Sequence, residues 1–126
     1  MIALRQRDVI NLAYDPYDAS GTRSAVVIDG MKTPNHPNVG RIYSLVTITK
    51  DSTGKYASHD WTVPLPKDQT VPSEPSLTND SVITPWGTFN VESNDIAGQH
   101  TRLDDSGMKR IRLAFQRMIL DDVDPD

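Results

Sequence analysis

The chain contains no cysteine, which removes disulfide staples and thiolate metal sites together. A reduced, cytoplasmic setting is expected on that ground. Aromatic residues are scarce, with two Phe and two Trp, so the core must come from Val, Ile and Leu. Long apolar runs are missing too. Stretches such as Ala25–Ile28 fall far short of the roughly 20 residues that cross a bilayer. Met1-Ile2-Ala3-Leu4-Arg5 lacks a basic segment followed by a long apolar one, so no secretory signal is expected. Nor is there a large excess of either charge: 17 acidic residues stand against 13 basic ones, a net charge of −4. Four of the acidic residues sit in the last six positions, Asp121-Asp122-Val123-Asp124-Pro125-Asp126. Without that solvated tail the body is close to neutral, so net charge alone does not decide for or against nucleic acid.

What is present is one domain's worth of chain: 126 residues, 37% of them hydrophobic. Residues 1–120 are expected to form a single domain and 121–126 an acidic tail. Asp8-Val9-Ile10-Asn11-Leu12-Ala13-Tyr14 reads as a first strand, ended by Asp15-Pro16. Ala25-Val26-Val27-Ile28 is an unbroken run of the kind buried on both faces. Arg41 to Thr49 gives a third strand, and Asp51-Ser52-Thr53-Gly54 a turn. Asp60 to Leu65 gives a fourth, in which Pro64 removes a ladder donor and points to an edge or a strand end. The proline-rich, polar stretch from there to Asn79 predicts a long surface loop. Ser81–Thr84 and Gly87–Val91 read as two further short strands.

The end of the chain changes period. Met108, Ile111, Phe115, Met118 and Ile119 share one helical face. Asp104, Asp105 and Ser106 are placed to cap its start. Gly107 in the first turn weakens that start by roughly 1 kcal/mol relative to Ala. Lys109, Arg110, Arg112 and Arg117 occupy the other faces, either as an ordinary solvated surface or as a basic flank for RNA or an acidic partner. The class is therefore mainly β (α+β), with a C-terminal amphipathic helix.

Taken in order, these segments resemble the MazF/PemK family of toxin endoribonucleases. Arg7-Asp8-Val9 is similar to the family's opening Gly-Asp-Ile or Gly-Asp-Val. Thr22-Arg23-Ser24-Ala25-Val26-Val27-Ile28 resembles its Arg-Pro-Ala-Val-Val-Ile strand, and Leu45-Val46-Thr47-Ile48-Thr49 the strand that ends in its active-site Thr or Ser. Trp61-Thr62-Val63-Pro64-Leu65 stands at an apolar-x-Val-x-Leu strand, and Thr101-Arg102-Leu103 at the Arg-Leu before the last helix. Each piece alone is common; the ordered set carries the likeness. Departures are Arg7 for Gly, Ser24 for Pro, and Thr84-Pro85-Trp86-Gly87 where the family often has Asp-Gln.

The resemblance implies a small SH3-like β-barrel that forms a homodimer, with RNA in a groove at the interface and an acidic antitoxin that occupies it. It also implies metal-independent cleavage of single-stranded RNA, leaving 2′,3′-cyclic phosphate and 5′-OH ends. Such cleavage needs a base for the 2′-OH, charge stabilisation on the phosphorane and an acid for the leaving oxygen. The likeness gives Arg23 the phosphate-clamping role, which a planar, permanently charged fork suits, with proton transfer as a further candidate task, and Thr49 a hydrogen bond to the same phosphate through its hydroxyl and backbone N–H. Outside the resemblance, each is an ordinary residue at a strand end. Tyr14, Tyr17 and Trp86 are candidates to stack bases, contributing about 1–3 kcal/mol each. Lys50 and Arg102 complete the expected RNA-binding set, while Phe89 reads first as barrel packing.

No metal or cofactor is expected: His36, His59 and His100 are scattered, with no i, i+4 pair for zinc. His36 reads as a loop residue, and the role of His100 stays open. The same barrel also serves toxins that poison DNA gyrase through the end of the last helix. Here Met118-Ile119-Leu120-Asp121-Asp122 lacks an aromatic tip, which disfavours that alternative. A catalytically inactive antitoxin-binding relative is the third reading, because the Asp-Gln pair is missing.

Overall fold

In a computed structural model, which describes residues 4–14, 23–28, 35–36, 40–51 and 62–121, the continuous apolar runs become the middle of a twisted sheet. Strands β1 (Asp8–Leu12), β2 (Ser24–Val27), β3 (Asn35–His36), β4 (Gly40–Lys50), β5 (Val63–Leu65), β6 (Ser81–Glu92) and β7 (Ile96–Arg102) precede one helix, α1 (Asp105–Asp121). They form one antiparallel sheet in the order β5-β6-β4-β2-β1-β7, with β3 paired to β4 alongside.

Successive residues of a strand point to opposite faces, and here both faces are buried. Val9, Val26, Val46 and Ile48 face one cluster together with Val63, Leu65, Leu77, Ile83 and Leu103. Their neighbours Ile10, Ala25, Val27 and Leu45 face a second cluster with Leu12, Tyr43 and Val91. The unbroken apolar run Ala25-Val26-Val27 in β2 is therefore what its central place demands. Helix α1 closes the first cluster by inserting Met108, Ile111 and Ala114, with Phe115 at the margin. Burying Met108 and Ile111 contributes roughly 1.5–3 kcal/mol each.

The sheet curls until its two edges meet. Thr70, shortly after β5, bridges to Leu103, just past β7. Val71 N–H donates to Arg102 O at 3.0 Å, and Asp104 N–H to Gln69 O at 3.1 Å. This closure makes the small barrel. As expected of an edge strand, β5 pairs with β6 alone among the described residues and leaves Pro64 exposed.

Three expectations about the later strands change, and one about His36 changes with them: read as a loop residue, it is part of the two-residue strand β3 and pairs with Gly40. The proline-rich segment is not merely a surface loop: its Leu77 is 4% exposed and belongs to the core, and its Leu77 N–H bonds back to Lys67 O at 2.9 Å. The two short strands expected from Ser81 onward are one strand, β6, with a three-residue interruption. Val46 faces Thr88 while Thr47 faces Thr84, so Pro85, Trp86 and Gly87 loop out of the register. Proline fits there because an unpaired position asks for no N–H. The third change is β7, which the sequence did not disclose. A 3-10 turn at Ser93–Asp95 reverses the chain after β6, and β7 then runs along β1 from Leu12↔Ile96 to Asp8↔Arg102.

The helix start follows its capping signal. Asp104 Oδ1 accepts the Gly107 N–H at 2.7 Å, and Asp104 O accepts the Met108 N–H at 3.0 Å. Gly107 is required by a close approach: an added Cβ would lie 2.7 Å from Gln69 O and 3.0 Å from Leu103 Cβ. α1 runs to Asp121, so the first residue of the expected acidic tail is helical. Residues 122–126 lie outside the described residues. Among the described residues, no helix is long and apolar enough to cross a membrane.

Candidate functional site

Antiparallel pairing places the start of β2 beside the end of β4, since Ala25 faces Thr47 and the same register carried two positions on sets Arg23, just before β2, against Thr49. That register brings Arg23 and Thr49 together from 26 positions apart, and Arg23 Nη1 donates to Thr49 Oγ1 at 3.0 Å. The Arg23 backbone is fixed as well, its carbonyl accepting the Leu12 N–H at 2.8 Å. A half-buried guanidinium on a rigid strand end is thus already oriented before any ligand arrives.

The pair borders a cleft of about 370 Å³ where one end of the barrel opens. Asn11, Ser24, Ile48 and Lys50 line it from the sheet, and His100 from β7. Ser81 of β6, paired with Lys50, also lines it from the sheet, and Leu77, Thr78 and Asn79 supply a further wall. The end of the proline-rich segment therefore contributes to the cleft. Ser24 Oγ meets Asn11 Oδ1 at 3.3 Å across the β1–β2 pair.

The chemistry of the lining is one-sided. Arg23 and Lys50 are cationic, and no Asp or Glu lines the cleft among the described residues. In a chain of net charge −4, this concentrates positive charge where hydroxyl and amide side chains also converge. Such a lining suits a phosphodiester: Arg23 for bidentate contact, Lys50 as a point charge, and Thr, Ser and Asn for sugar or base edges.

The other expected site residues are dispersed. Lys50 joins Arg23 and Thr49 in the cleft. Arg102 does not line it; its Nε donates to Asp8 Oδ1 at 2.9 Å, and Asp8 is 1% exposed. Tyr14, 42% exposed, follows β1, and Trp86, 55% exposed, projects from the β6 interruption; neither lines the cleft. Tyr17 and His59 lie outside the described residues. His100, whose role the sequence left open, does line the cleft. On α1, Arg110 reaches the Pro64 carbonyl at 3.1 Å, while Lys109, Arg112 and Arg117 face solvent. Among the described residues there is no group of His, Asp and Glu able to hold a metal ion.

No protein-family model and no characterised protein matches the sequence. In three dimensions the chain is similar to an endoribonuclease from a mycobacterial species, solved in complex with its cognate antitoxin. The TM-score is 0.62 and the identity 13%, over 94% of this chain and 95% of that one. At that identity the likeness establishes a shared fold, a small antiparallel barrel with a C-terminal helix.

Proposed function

We propose that this protein is the toxin of a toxin–antitoxin pair, a metal-independent endoribonuclease that cuts single-stranded RNA. The observation that carries the reading is the Arg23–Thr49 hydrogen bond at 3.0 Å on the rim of a cleft whose charged lining is cationic. Support comes from the fold shared with an endoribonuclease that binds an antitoxin.

In this reading the scissile phosphate sits against Arg23 and Thr49. The guanidinium stabilises charge on the phosphorane oxygens, where pre-oriented donors have their largest effect. The Thr49 hydroxyl donates to a phosphate oxygen while Arg23 holds it in place. The 2′-oxygen attacks, and the products are a 2′,3′-cyclic phosphate and a 5′-OH. Lys50 contacts a flanking phosphate, and Tyr14, Tyr17 and Trp86 stack bases further along the strand. The protein works as a homodimer, which joins two such clefts. Its antitoxin is an acidic, partly disordered segment that competes with RNA for the same cations.

The test is incubation of the purified protein with a long single-stranded RNA, with and without EDTA, beside Arg23→Ala. Discrete cuts that survive EDTA and vanish in the variant are expected. RNA left intact by the unmodified protein overturns the reading.

A further inference from the structure

We infer that His100 is the proton-accepting residue of the cleft, the general base that activates the attacking 2′-hydroxyl. This role rests on the ribonuclease reading above and goes beyond the Arg23–Thr49 pair. The starting point is elimination. Arg23 and Lys50 are the cations that hold phosphate, the hydroxyl and amide side chains take up no proton, and no carboxylate lines the cleft among the described residues. His100 is the one lining side chain there with a lone pair suited to the task.

The ring is also held in a defined state. His100 Nε2 lies 3.2 Å from the Ser76 carbonyl oxygen. An oxygen acceptor requires the hydrogen on that nitrogen, so the neutral ring keeps its lone pair on Nδ1. The next residue repeats the attachment, with Thr101 Oγ1 donating to the Pro75 carbonyl. Two successive side chains of β7 thus bond to two successive carbonyls of the chain just before the cleft-lining residues 77–79. A backbone carbonyl orients this imidazole much as second groups orient catalytic bases elsewhere.

The step balances within these groups and water. The 2′-OH proton passes to Nδ1 as the 2′-oxygen bonds to phosphorus. The bond from phosphorus to the 5′-oxygen then breaks, and that oxygen takes a proton from water. The hydroxide left behind is neutralised by the proton that His100 received. The charged side chains lining the cleft around the ring are Arg23 of the β2 start and Lys50 of β4, and residues 77–79 of the wall bring none.

The experiment compares the full-length protein with His100→Gln and His100→Ala. Gln keeps an N–H donor for the Ser76 carbonyl but takes up no proton, so it separates positioning from chemistry. A long single-stranded RNA first gives the cut site. A short oligonucleotide spanning it gives kcat/KM against pH, and its 2′-deoxy counterpart gives the binding constant. His100→Gln is expected to lose about 100-fold or more in kcat/KM, bind the 2′-deoxy strand within about threefold of the unmodified protein, and lack the acidic limb of unit slope. Imidazole added to His100→Ala is expected to restore part of the rate. If His100→Gln cleaves at the original rate with the original pH profile, the role is overturned while the ribonuclease reading stands. If the unmodified protein cleaves no RNA, both fall together.

Discussion

Thr84 and Thr47 are locked in a reciprocal pair: the Thr84 hydroxyl donates to the Thr47 carbonyl at 2.9 Å, so its single proton is spent there. The 2.6 Å contact between the two hydroxyl oxygens must then be a donation from Thr47 to Thr84. Both residues are buried, and they stand where β6 loops out Pro85, Trp86 and Gly87. Thr88 Oγ1 donates to the Pro85 carbonyl at 2.7 Å and completes the interruption. Thr84→Val strips partners from the Thr47 hydroxyl and carbonyl at once and should destabilise by about 2 kcal/mol. Thr47→Val removes one bond and should cost about half as much. Urea unfolding of the two single variants and the double variant measures the coupling; additive effects would contradict the pairing.

Gly107→Ala pits two known effects against each other. Helix propensity favours Ala by about 1 kcal/mol. The new Cβ, however, would meet the Gln69 carbonyl at 2.7 Å and Leu103 Cβ at 3.0 Å, neither the far end of a flexible side chain. Overpacking at such a contact typically costs about 1–3 kcal/mol, so a net loss and a lower Tm are expected. A variant that melts higher would mean that the helix can draw back from the 66–70 segment freely.

Asp8 and Arg102 make the barrel's most buried ion pair among the described residues. Asp8 accepts the Arg102 Nε at 2.9 Å and the Arg5 N–H at 2.8 Å. Breaking a buried pair from one side costs about 3–5 kcal/mol. Since the Arg102 side chain is 25% exposed, Asp8→Ala should fall near the lower end of that range. Arg23→Ala should lose cleavage with little change in Tm, because Arg23 stands at the cleft. Thermal melts beside cleavage assays separate an arginine that holds the fold from one that serves the site.

What was legible follows from how local each signal is. β1, β2, β4 and α1 declare themselves by apolar runs or by helical spacing, because neighbours within each segment share one core. β7 shows no such pattern. Ile96-Ala97-Gly98-Gln99-His100 is held by pairing along β1, information that lies some ninety positions away. Leu77 sits alone in polar sequence and is buried only because the Thr70–Leu103 bridge folds its segment back. Arg7 is similar. It adopts φ 85°, a conformation suited to glycine, and its guanidinium pairs with Asp105 at the helix start. A glycine-like backbone is thus carried by a residue whose identity hides it. In the site, Arg23 and Thr49 were reached through family resemblance and Lys50 with them. His100 and the 77–79 wall required the curled sheet.

The two basic surfaces of the molecule make the last prediction. Lys50 lines the cleft, whereas Lys109 and Arg112 stand exposed on the outer face of α1. Binding of single-stranded RNA releases counterions, so log K falls with log salt by about 0.7 for each phosphate neutralised. If RNA tracks the cleft, Lys50→Ala should flatten that slope by about 0.7 and weaken binding at every salt concentration. The double variant Lys109→Ala/Arg112→Ala should leave the slope unchanged, as expected of an ordinary solvated helix face. Fluorescence anisotropy with a non-cleavable 2′-deoxy strand across a salt series checks both. The reverse pattern would move the RNA path from the barrel's open end to the helix. Arg23 and Thr49 would then lie off that path, and the phosphate clamp would lose its basis.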